Sequence, residues 1–329
     1  MNKNKNILIT GGAGYVGSRL VPKLLTLGYR VTVLDLMIYG DTVLEDHDKL
    51  KKVNGDIRDT KLLNEIIPGH DVVIHLACIS NDPSFELNPK LGKSINLEAF
   101  EPLVNSSVKS KVKQFIYASS SSVYGIKKEK NVTEDMTLEP LTDYSKFKGD
   151  CEKILNNYKS EEFTTTTIRP STVCGYAKRQ RLDLVVNILT NHAFHNREIK
   201  VFGGDQLRPN VHIEDMVDSY LAVINADPKK VNGQIFNVGF KNQSVNELAA
   251  DVKEIIGEDI NIVNTKSDDN RSYHVSSEKI KEILGFQTKH TVKDAVLDLK
   301  KAFEEKLLVN TFKDEIFFNI KRMNNIRLK

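Results

Sequence analysis

A glycine-rich turn between two apolar segments is the feature that most constrains the fold of this chain. Residues 7–9 form a short apolar run that predicts a buried parallel strand, and residues 31–34 predict a second one. Gly11, Gly14 and Gly17 follow the first run at a spacing that lets backbone N–H groups approach a pyrophosphate at the start of a helix. This segment therefore predicts a site for a dinucleotide.

An acidic residue ends the second predicted strand. Asp35 follows Gly17 at about the spacing at which a carboxylate accepts hydrogen bonds from the adenosine ribose hydroxyls. The same carboxylate would repel a 2′-phosphate, and residues 36–38 supply no cation to hold one. We therefore expect NAD rather than NADP as the cofactor.

Composition limits the class of partner and the compartment. The 329 residues include 47 Lys and Arg and 44 Asp and Glu, a near balance that favours neither nucleic acid nor a membrane surface as a partner. Cys78, Cys151 and Cys174 have no paired spacing and no accompanying histidine cluster, which argues against disulfides and a metal site. Without an apolar leader or a membrane-spanning run, we expect a cytoplasmic protein that binds a small molecule.

Short apolar runs alternate with helical patterns through the first half of the chain, which is typical of a doubly wound parallel sheet. Further strands are predicted at 71–75, 114–119 and 164–169, and helices at about 91–108 and 144–159. We expect both helices on one face of the sheet, where apolar positions beyond a single buried stripe would support a homodimer. These positions are Leu97, Phe100, Leu103, Val104 and Leu155.

The pattern changes in the second half of the chain, where several helices are separated by polar loops. We interpret residues 1–175 and about 208–240 as an NAD-binding Rossmann domain of the α/β class. Residues of about 176–207 and 241–310 would form a smaller C-terminal substrate-binding lobe, and 311–329 a solvated tail able to dock. Within the lobe, helices are predicted at 182–194, 245–256, 277–284 and 292–307, and a strand at 199–202.

Two residues on a predicted helix carry candidate acid–base chemistry. Tyr144 and Lys148 stand one turn apart, so their side chains project from the same face. A free tyrosine titrates near pH ~10, and we expect the Lys148 ammonium and a nicotinamide cation to lower the phenol pKa and produce a general base. The alternative is an ordinary solvated helix face.

Four serines at residues 119–122 end the strand that precedes this helix. Their hydroxyls could bond a substrate oxygen and share its proton with the phenol of Tyr144. The alternative is that they satisfy backbone groups at the strand end.

These motifs together resemble the extended short-chain dehydrogenases/reductases of the nucleotide-sugar epimerase/dehydratase group, which includes the UDP-glucose 4-epimerases. The resemblance covers nearly the whole chain and extends to residues 55–59, 75–77, 119–125 and 169–170. It implies that the candidate catalytic residues are Tyr144, Lys148 and Ser120, with Ser120 bonded to the reacting sugar hydroxyl.

The resemblance also implies a set of cofactor contacts. Asp56 and Ile57 would contact the adenine, Ala77 would line the nicotinamide pocket, Asn96 would support the active site and Lys148 would bond the nicotinamide ribose. The full candidate set for NAD is Gly11, Gly14, Tyr15, Val16, Gly17, Asp35, Asp56, Ile57, Leu76, Ala77, Asn96, Ser119, Tyr144, Lys148 and Pro170.

Arginines predict the substrate side, because a guanidinium recognises phosphate through two parallel hydrogen bonds. Arg208 lies in a segment similar to the one whose arginine pairs with the nucleotide diphosphate in this family, and Arg271 has a comparable place in the last third of the chain. Arg179 and Arg181 follow Gly175 in a lid-like stretch, with a solvated surface as their alternative. Ser120 and Ser121 complete the candidate substrate set.

One departure from the family pattern bears on the reaction. The family's 4,6-dehydratases carry Thr-Asp-Glu where this chain has Ser120-Ser121-Ser122, and elimination of water needs those carboxyl groups. Residues 80–84 also differ from the commonest galactose-type epimerases. We expect NAD-dependent oxidation of a nucleotide-linked sugar at C4 followed by epimerisation. A one-way dehydrogenase or 4-keto-reductase and a non-catalytic NAD-binding sensor are the alternatives.

Overall fold

A seven-stranded parallel sheet forms the centre of the molecule in the computed structural model, which describes residues 5–129, 131–266 and 274–328. The strand order changes direction between neighbouring strands β1 and β4, which places a ligand-binding crevice at their carboxyl ends. The predicted α/β doubly wound fold is confirmed. From one edge to the other the strands are β10 (Gln234–Val238), β6 (Thr164–Pro170), β5 (Gln114–Ala118), β4 (Val72–His75), β1 (Asn6–Thr10), β2 (Arg30–Asp35) and β3 (Leu50–Asn54).

Side chains alternate across the sheet, so both of its faces are apolar. In β1, Ile7 and Ile9 pack into one core and Leu8 into the other, as expected for a strand buried on both sides. Helices cover both faces. They are α1 (Gly17–Thr26), α2 (Thr60–Ile66), α3 (Asp82–Glu86), α4 (Pro89–Lys93), α5 (Phe100–Lys109), α6 (Asp143–Asn157), α7 (Val185–Asn196), α8 (Ile213–Asn225), α9 (Pro228–Val231), α10 (Val245–Ile256), α11 (Glu278–Leu284), α12 (Val292–Glu304) and α13 (Asn319–Ile326).

The helix predicted at 91–108 is not continuous. The chain forms α4, then a π-helical turn at Ser94–Glu98, and then α5. The backbone carbonyl of Asn96 in this turn accepts a hydrogen bond from the thiol of Cys151 at 3.2 Å. Such turns break the regular helical ladder and are frequent at functional sites.

The apolar surplus expected on the two helices is mostly used inside the protomer. Phe100, Leu103, Val104 and Leu155 are buried, because α5 and α6 pack against each other as well as against the sheet. Of the five predicted positions, only Leu97 stays partly exposed. The argument from these four residues for a homodimer was therefore wrong, and the homodimer itself stays a prediction.

Two further sheets lie outside the central one, and the division of the chain into a Rossmann domain and a smaller lobe stays a prediction. β9 (Leu207–His212) lies between β7 (Thr172–Cys174) and β11 (Lys241–Ser244), and β8 (Glu198–Phe202) pairs in parallel with β12 (Asn261–Thr265). Helices α7, α10 and α12 close a common apolar core over β8. No helix in the described part of the chain is long and apolar enough to cross a membrane.

Residues 311–328 do not form the expected solvated tail. Phe317, Asn319 and Met323 are buried, and the backbone N–H of Leu182 donates to the carbonyl of Phe317 at 3.0 Å. The apolar residues among the charges of this segment therefore dock it onto the rest of the molecule.

Candidate active site

A cavity of about 350 Å³ opens at the carboxyl ends of β1, β4 and β5. Every predicted cofactor residue except Asn96 lines it. Of the predicted substrate residues, Ser120, Ser121, Arg179 and Arg181 line it as well. The sequence motifs, separated along the chain, therefore converge on one cavity.

Glycines let two stretches of backbone approach each other beside this cavity. A Cβ atom on Gly11 would lie 2.5 Å from the backbone nitrogen of Ala77, and one on Gly17 would lie 2.3 Å from the carbonyl oxygen of Gly12. A Cβ atom on Gly14 would lie 3.1 Å from the carbonyl oxygen of Gly11. The three glycines thus allow close approach at the amino-terminal end of α1, as a pyrophosphate site requires.

Asp35 lines the cavity at the end of β2. Its Oδ2 accepts from the backbone N–H of Ala13 at 3.0 Å, and its Oδ1 from that of Met37 at 2.9 Å. Burial raises the pKa of Asp35, while these hydrogen bonds and the positive charge of Arg179 lower it. Residues 36–38 carry no positive charge, but Arg179, in the loop after β7, contributes one that acts on this carboxylate.

The proposed base and its lysine line the same wall. Lys148 Nζ lies 5.9 Å from the ring centroid of Tyr144 and donates to the carbonyl of Ala118 at 2.6 Å. Burial raises the pKa of Tyr144, and the Asp82 carboxylate raises it further, while the Arg181 guanidinium lowers it. In the protein without NAD, burial outweighs the nearby positive charge. The expected lowering of this pKa by Lys148 together with a nicotinamide cation stays a prediction.

The serines at residues 119–122 form hydrogen bonds with other serine hydroxyls and with the carboxylate of Glu152. Ser120 Oγ lies 2.8 Å from Ser122 Oγ, which also accepts from Ser145 Oγ at 2.8 Å. Ser119 instead donates to Glu152 at 2.5 Å. Ser120 Oγ also accepts from the backbone N–H of Ser122 at 3.1 Å, as the structural alternative expects, and its bond to a substrate oxygen stays a prediction.

A buried ion pair that the sequence analysis missed lies beneath the site. Arg169 Nη2 donates to Glu152 Oε2 at 2.6 Å, and Arg169 Nη1 donates to the hydroxyl of Tyr124 at 2.7 Å. Both charged side chains are almost fully buried, and they connect β6 to α6. The available signal was the position of Glu152, two turns after Tyr144 on the helix face that also carries Lys148.

Asn96 does not line the cavity, and its contact with the cofactor stays a prediction. Its Oδ1 accepts from the backbone N–H of Ile79 at 2.8 Å, and its Nδ2 donates to the Ile79 carbonyl at 2.9 Å. Both polar atoms are therefore used to fix the loop 78–81, which does line the cavity. Asn96 acts as a positioning residue.

The four arginines predicted to bind the substrate differ in their position relative to the cavity. Arg179 and Arg181 are buried in the cavity wall, which rules out a solvated surface for both. Arg208 lies on β9, does not line the cavity and donates to the carbonyl of Leu207 at 3.0 Å, so its contact with a diphosphate stays a prediction. Arg271 lies outside the described residues.

Three buried polar atoms in the cavity wall have no hydrogen-bond partner among the described residues. They are Arg179 Nε, Arg181 Nη2 and Ser171 Oγ. Buried donors are normally paired, so these atoms indicate that the cavity holds a ligand rich in oxygen acceptors. Together with the glycine turn and Asp35, these three unpaired atoms fit a bound dinucleotide. In the described ranges, no cluster of metal-ligating side chains occurs.

A doubly wound sheet with a glycine turn, an acidic residue at the end of β2 and a Tyr–Lys pair on α6 defines a short-chain dehydrogenase/reductase. Residues 7–239 match the model of the NAD dependent epimerase/dehydratase family, and the chain belongs to that family. It is therefore an NAD-dependent enzyme of the nucleotide-sugar epimerase/dehydratase type.

Similar proteins cover nearly the whole chain. The UDP-glucose 4-epimerase of Lactobacillus helveticus is 29% identical to this chain, and the alignment covers 88% of this chain and 94% of the epimerase. Human dTDP-D-glucose 4,6-dehydratase is 26% identical, over 89% of this chain and 88% of its own. The structure of MoeE5 with UDP-glucuronic acid and NAD is 25% identical with a TM-score of 0.81, over 92% of this chain and 99% of that one.

Proposed function

We propose that the protein transfers a hydride between NAD and C4 of the sugar in a nucleotide-diphosphate sugar, and that it inverts C4. The observation that carries this proposal is that the phenol of Tyr144 and the hydroxyl of Ser120 line the same cavity as the glycine turn. A base, a hydroxyl for the reacting oxygen and a dinucleotide site therefore share one enclosed space. The smaller lobe would hold the nucleotide, with Arg208 and Arg271 on its diphosphate.

Tyr144 Oη takes the proton of the C4 hydroxyl, and Ser120 Oγ holds the same oxygen through a hydrogen bond. NAD⁺ supplies the hydride acceptor when bound. Because burial raises the pKa of Tyr144, the phenolate depends on positive charge collected around it. Lys148 and Arg181 provide that charge from the protein.

The hydroxyl wall at residues 120–122 favours epimerisation over dehydration. Elimination of water from C5 and C6 needs an acid and a base, and the side chains at these three positions offer neither. A sugar oxidised at C4 would instead turn within the cavity and be reduced on its other face. This route leaves NAD in its starting redox state, whereas a one-way dehydrogenase would accumulate NADH.

Substitution Tyr144→Phe tests the base. The ring keeps its packing but loses the oxygen that accepts the proton, so hydride transfer in a single turnover should fall by about 10²–10⁴-fold, while NAD still binds. Tyr158→Phe is the matched control, because its hydroxyl lies just after α6 on the surface and bonds to Glu101 at 2.8 Å. Wild-type hydride transfer by the Tyr144→Phe enzyme with UDP-glucose or dTDP-glucose would refute the mechanism.

A further inference from the structure

The loop 175–184 is fixed on the amino-terminal turn of α1. The hydroxyl of Tyr15 donates to the carbonyl of Gly175 at 2.6 Å, and the backbone N–H of Arg179 donates to Ser18 Oγ at 3.3 Å. Ser18 belongs to the first turn of α1, directly after the glycine turn that is predicted to bind a pyrophosphate. The backbone of Arg179 is therefore held next to that site.

The side chain of Arg179 is buried in the cavity wall. The guanidinium carbon lies 3.6 Å from the ring centroid of Tyr39, and Nη2 donates to Asn319 Oδ1 at 2.5 Å. Nε has no partner among the described residues. A buried cation with an unused donor, close to the carboxylate of Asp35, needs an anionic ligand on the adenosine side of the cavity.

Arg181, two residues further on, has hydrogen-bond partners different from those of Arg179. Its Nε pairs with Asp183 at 2.9 Å and its Nη1 donates to Ser80 Oγ at 3.2 Å. Its charge acts on Tyr144, whereas that of Arg179 acts on Asp35. The two arginines are therefore assigned to different parts of the bound ligands.

Asn319 bonds to Arg179 and to both partners of Arg181. Its Oδ1 accepts from the hydroxyl of Tyr39 at 2.8 Å as well as from Arg179, and its Nδ2 donates to Ser80 Oγ at 2.9 Å. Its backbone N–H donates to Asp183 at 3.2 Å. Four residues later, Met323 lines the cavity itself. The segment 311–328, which we call the C-terminal strap, thus lies across the cavity wall.

We infer that Arg179 binds the pyrophosphate of NAD rather than the nucleotide sugar, and that Asn319 on the C-terminal strap positions Arg179 and slows the release of NAD. The inference rests on the NAD-dependent chemistry proposed above. Its tests measure cofactor binding and release, so they remain informative whatever sugar the enzyme uses. A retained cofactor is also what an epimerase needs, because the same NAD must return its hydride to the sugar.

The ligand of Arg179 is tested by Arg179→Met, which keeps an unbranched apolar stem and removes the charged guanidinium. The Kd for NADH, measured by fluorescence of the bound cofactor, should rise about tenfold or more, while the Kd for UDP and for dTDP stays within about twofold. Lys178→Met is the matched control, because Lys178 is an exposed cation in the same loop that pairs with Glu45 at 3.0 Å. It should bind NADH like the wild type.

Two results would overturn this assignment. An unchanged Kd for NADH would show that Arg179 does not bind the cofactor, and a weakened UDP or dTDP affinity alone would return it to the sugar nucleotide. If the Met variant does not fold, Arg179→Lys gives the same test, because a single ammonium cannot replace the two parallel hydrogen bonds. A Lys variant with wild-type affinity for NADH would then contradict the inference.

The role of the strap is tested by Asn319→Ala. Enzyme loaded with NADH is mixed with excess NAD⁺, and the loss of bound-cofactor fluorescence gives the rate of release. We expect this rate to increase about tenfold, with a smaller change in the unfolding temperature of the free protein. Asn325→Ala on the same helix is the control, because Asn325 is exposed and bonds to Glu315 away from the cavity. Equal release rates for the two variants would refute the positioning role.

Discussion

Glu152 and Arg169 form an ion pair that is almost fully buried. Burial determines how much stability the protein loses when the pair is broken. Removing one partner leaves the other charge buried and uncompensated. Glu152→Gln should therefore lower the free energy of unfolding by about 3–5 kcal/mol, measured by urea titration of the free protein. Asp150→Asn breaks the exposed pair with Lys153 on the same helix and should cost less than about 1 kcal/mol. Equal losses would contradict the importance of burial.

His75 ends β4 as a buried, uncharged side chain. Burial, with a smaller effect of the Lys148 charge, lowers the pKa of His75 to about 3, and its Nδ1 lies 2.7 Å from Thr10 Oγ1. In the unfolded chain His75 binds a proton below pH ~6.5. In the folded protein it stays uncharged at that pH. Stability should therefore decrease as the pH falls below about 6.5, by up to about 1.4 kcal/mol per pH unit.

His75→Asn removes this titration while keeping a polar atom near Thr10. The wild type should lose about 1.4 kcal/mol more of its free energy of unfolding between pH ~7.5 and ~5.5 than the variant loses. Urea titrations at the two pH values give both differences. Parallel pH dependences would show that His75 is not the group responsible.

Residues whose role depends on local spacing could be predicted from the sequence. Gly11, Asp35, Tyr144 and Lys148 all line the cavity because a turn, a strand end and a helix face fix their directions. Asn319 could not be found in this way. It meets Arg179 from the opposite end of the chain, and only the packing of the C-terminal strap brings the two together.

At the scale of elements, the join between β1 and α1 depends on the absence of a side chain at Gly17. A Cβ atom there meets backbone, which cannot move aside cheaply. Gly17→Ala should lower the free energy of unfolding of the free protein by about 1–3 kcal/mol. Gly14→Ala has more room, so it should leave stability nearly unchanged while weakening NAD binding. Similar unfolding curves for both variants would contradict this difference.

The broken helix before α5 shows where periodicity fails as a guide. The apolar spacing of residues 91–108 predicts helix, and nearly all of that segment is helical. The π-helical turn depends on the fit of Asn96 to Ile79 and of Cys151 to the Asn96 carbonyl. Those are tertiary contacts, and a pattern of apolar residues does not contain them.

At the scale of the whole molecule, the homodimer remains to be tested. Leu97 in the π-helical turn before α5 and Ile154 on α6 keep partly exposed apolar surface. We predict a dimer in sedimentation at micromolar concentration and a monomer for Ile154→Arg. Leu297→Arg is the control, since Leu297 is 47% exposed on α12 in the smaller lobe. A monomeric wild type would refute the prediction.

The three thiols differ in burial, so a thiol reagent can report whether a ligand fills the cavity. Cys151 and Cys174 are fully buried, and burial raises the pKa of both, that of Cys151 to about 12. Cys78 alone among the three lines the cavity. An alkylating reagent should therefore add a single mass increment to the native protein, and saturation with NAD should delay it. Mass spectrometry of intact protein would then follow the filling of the site without any substrate.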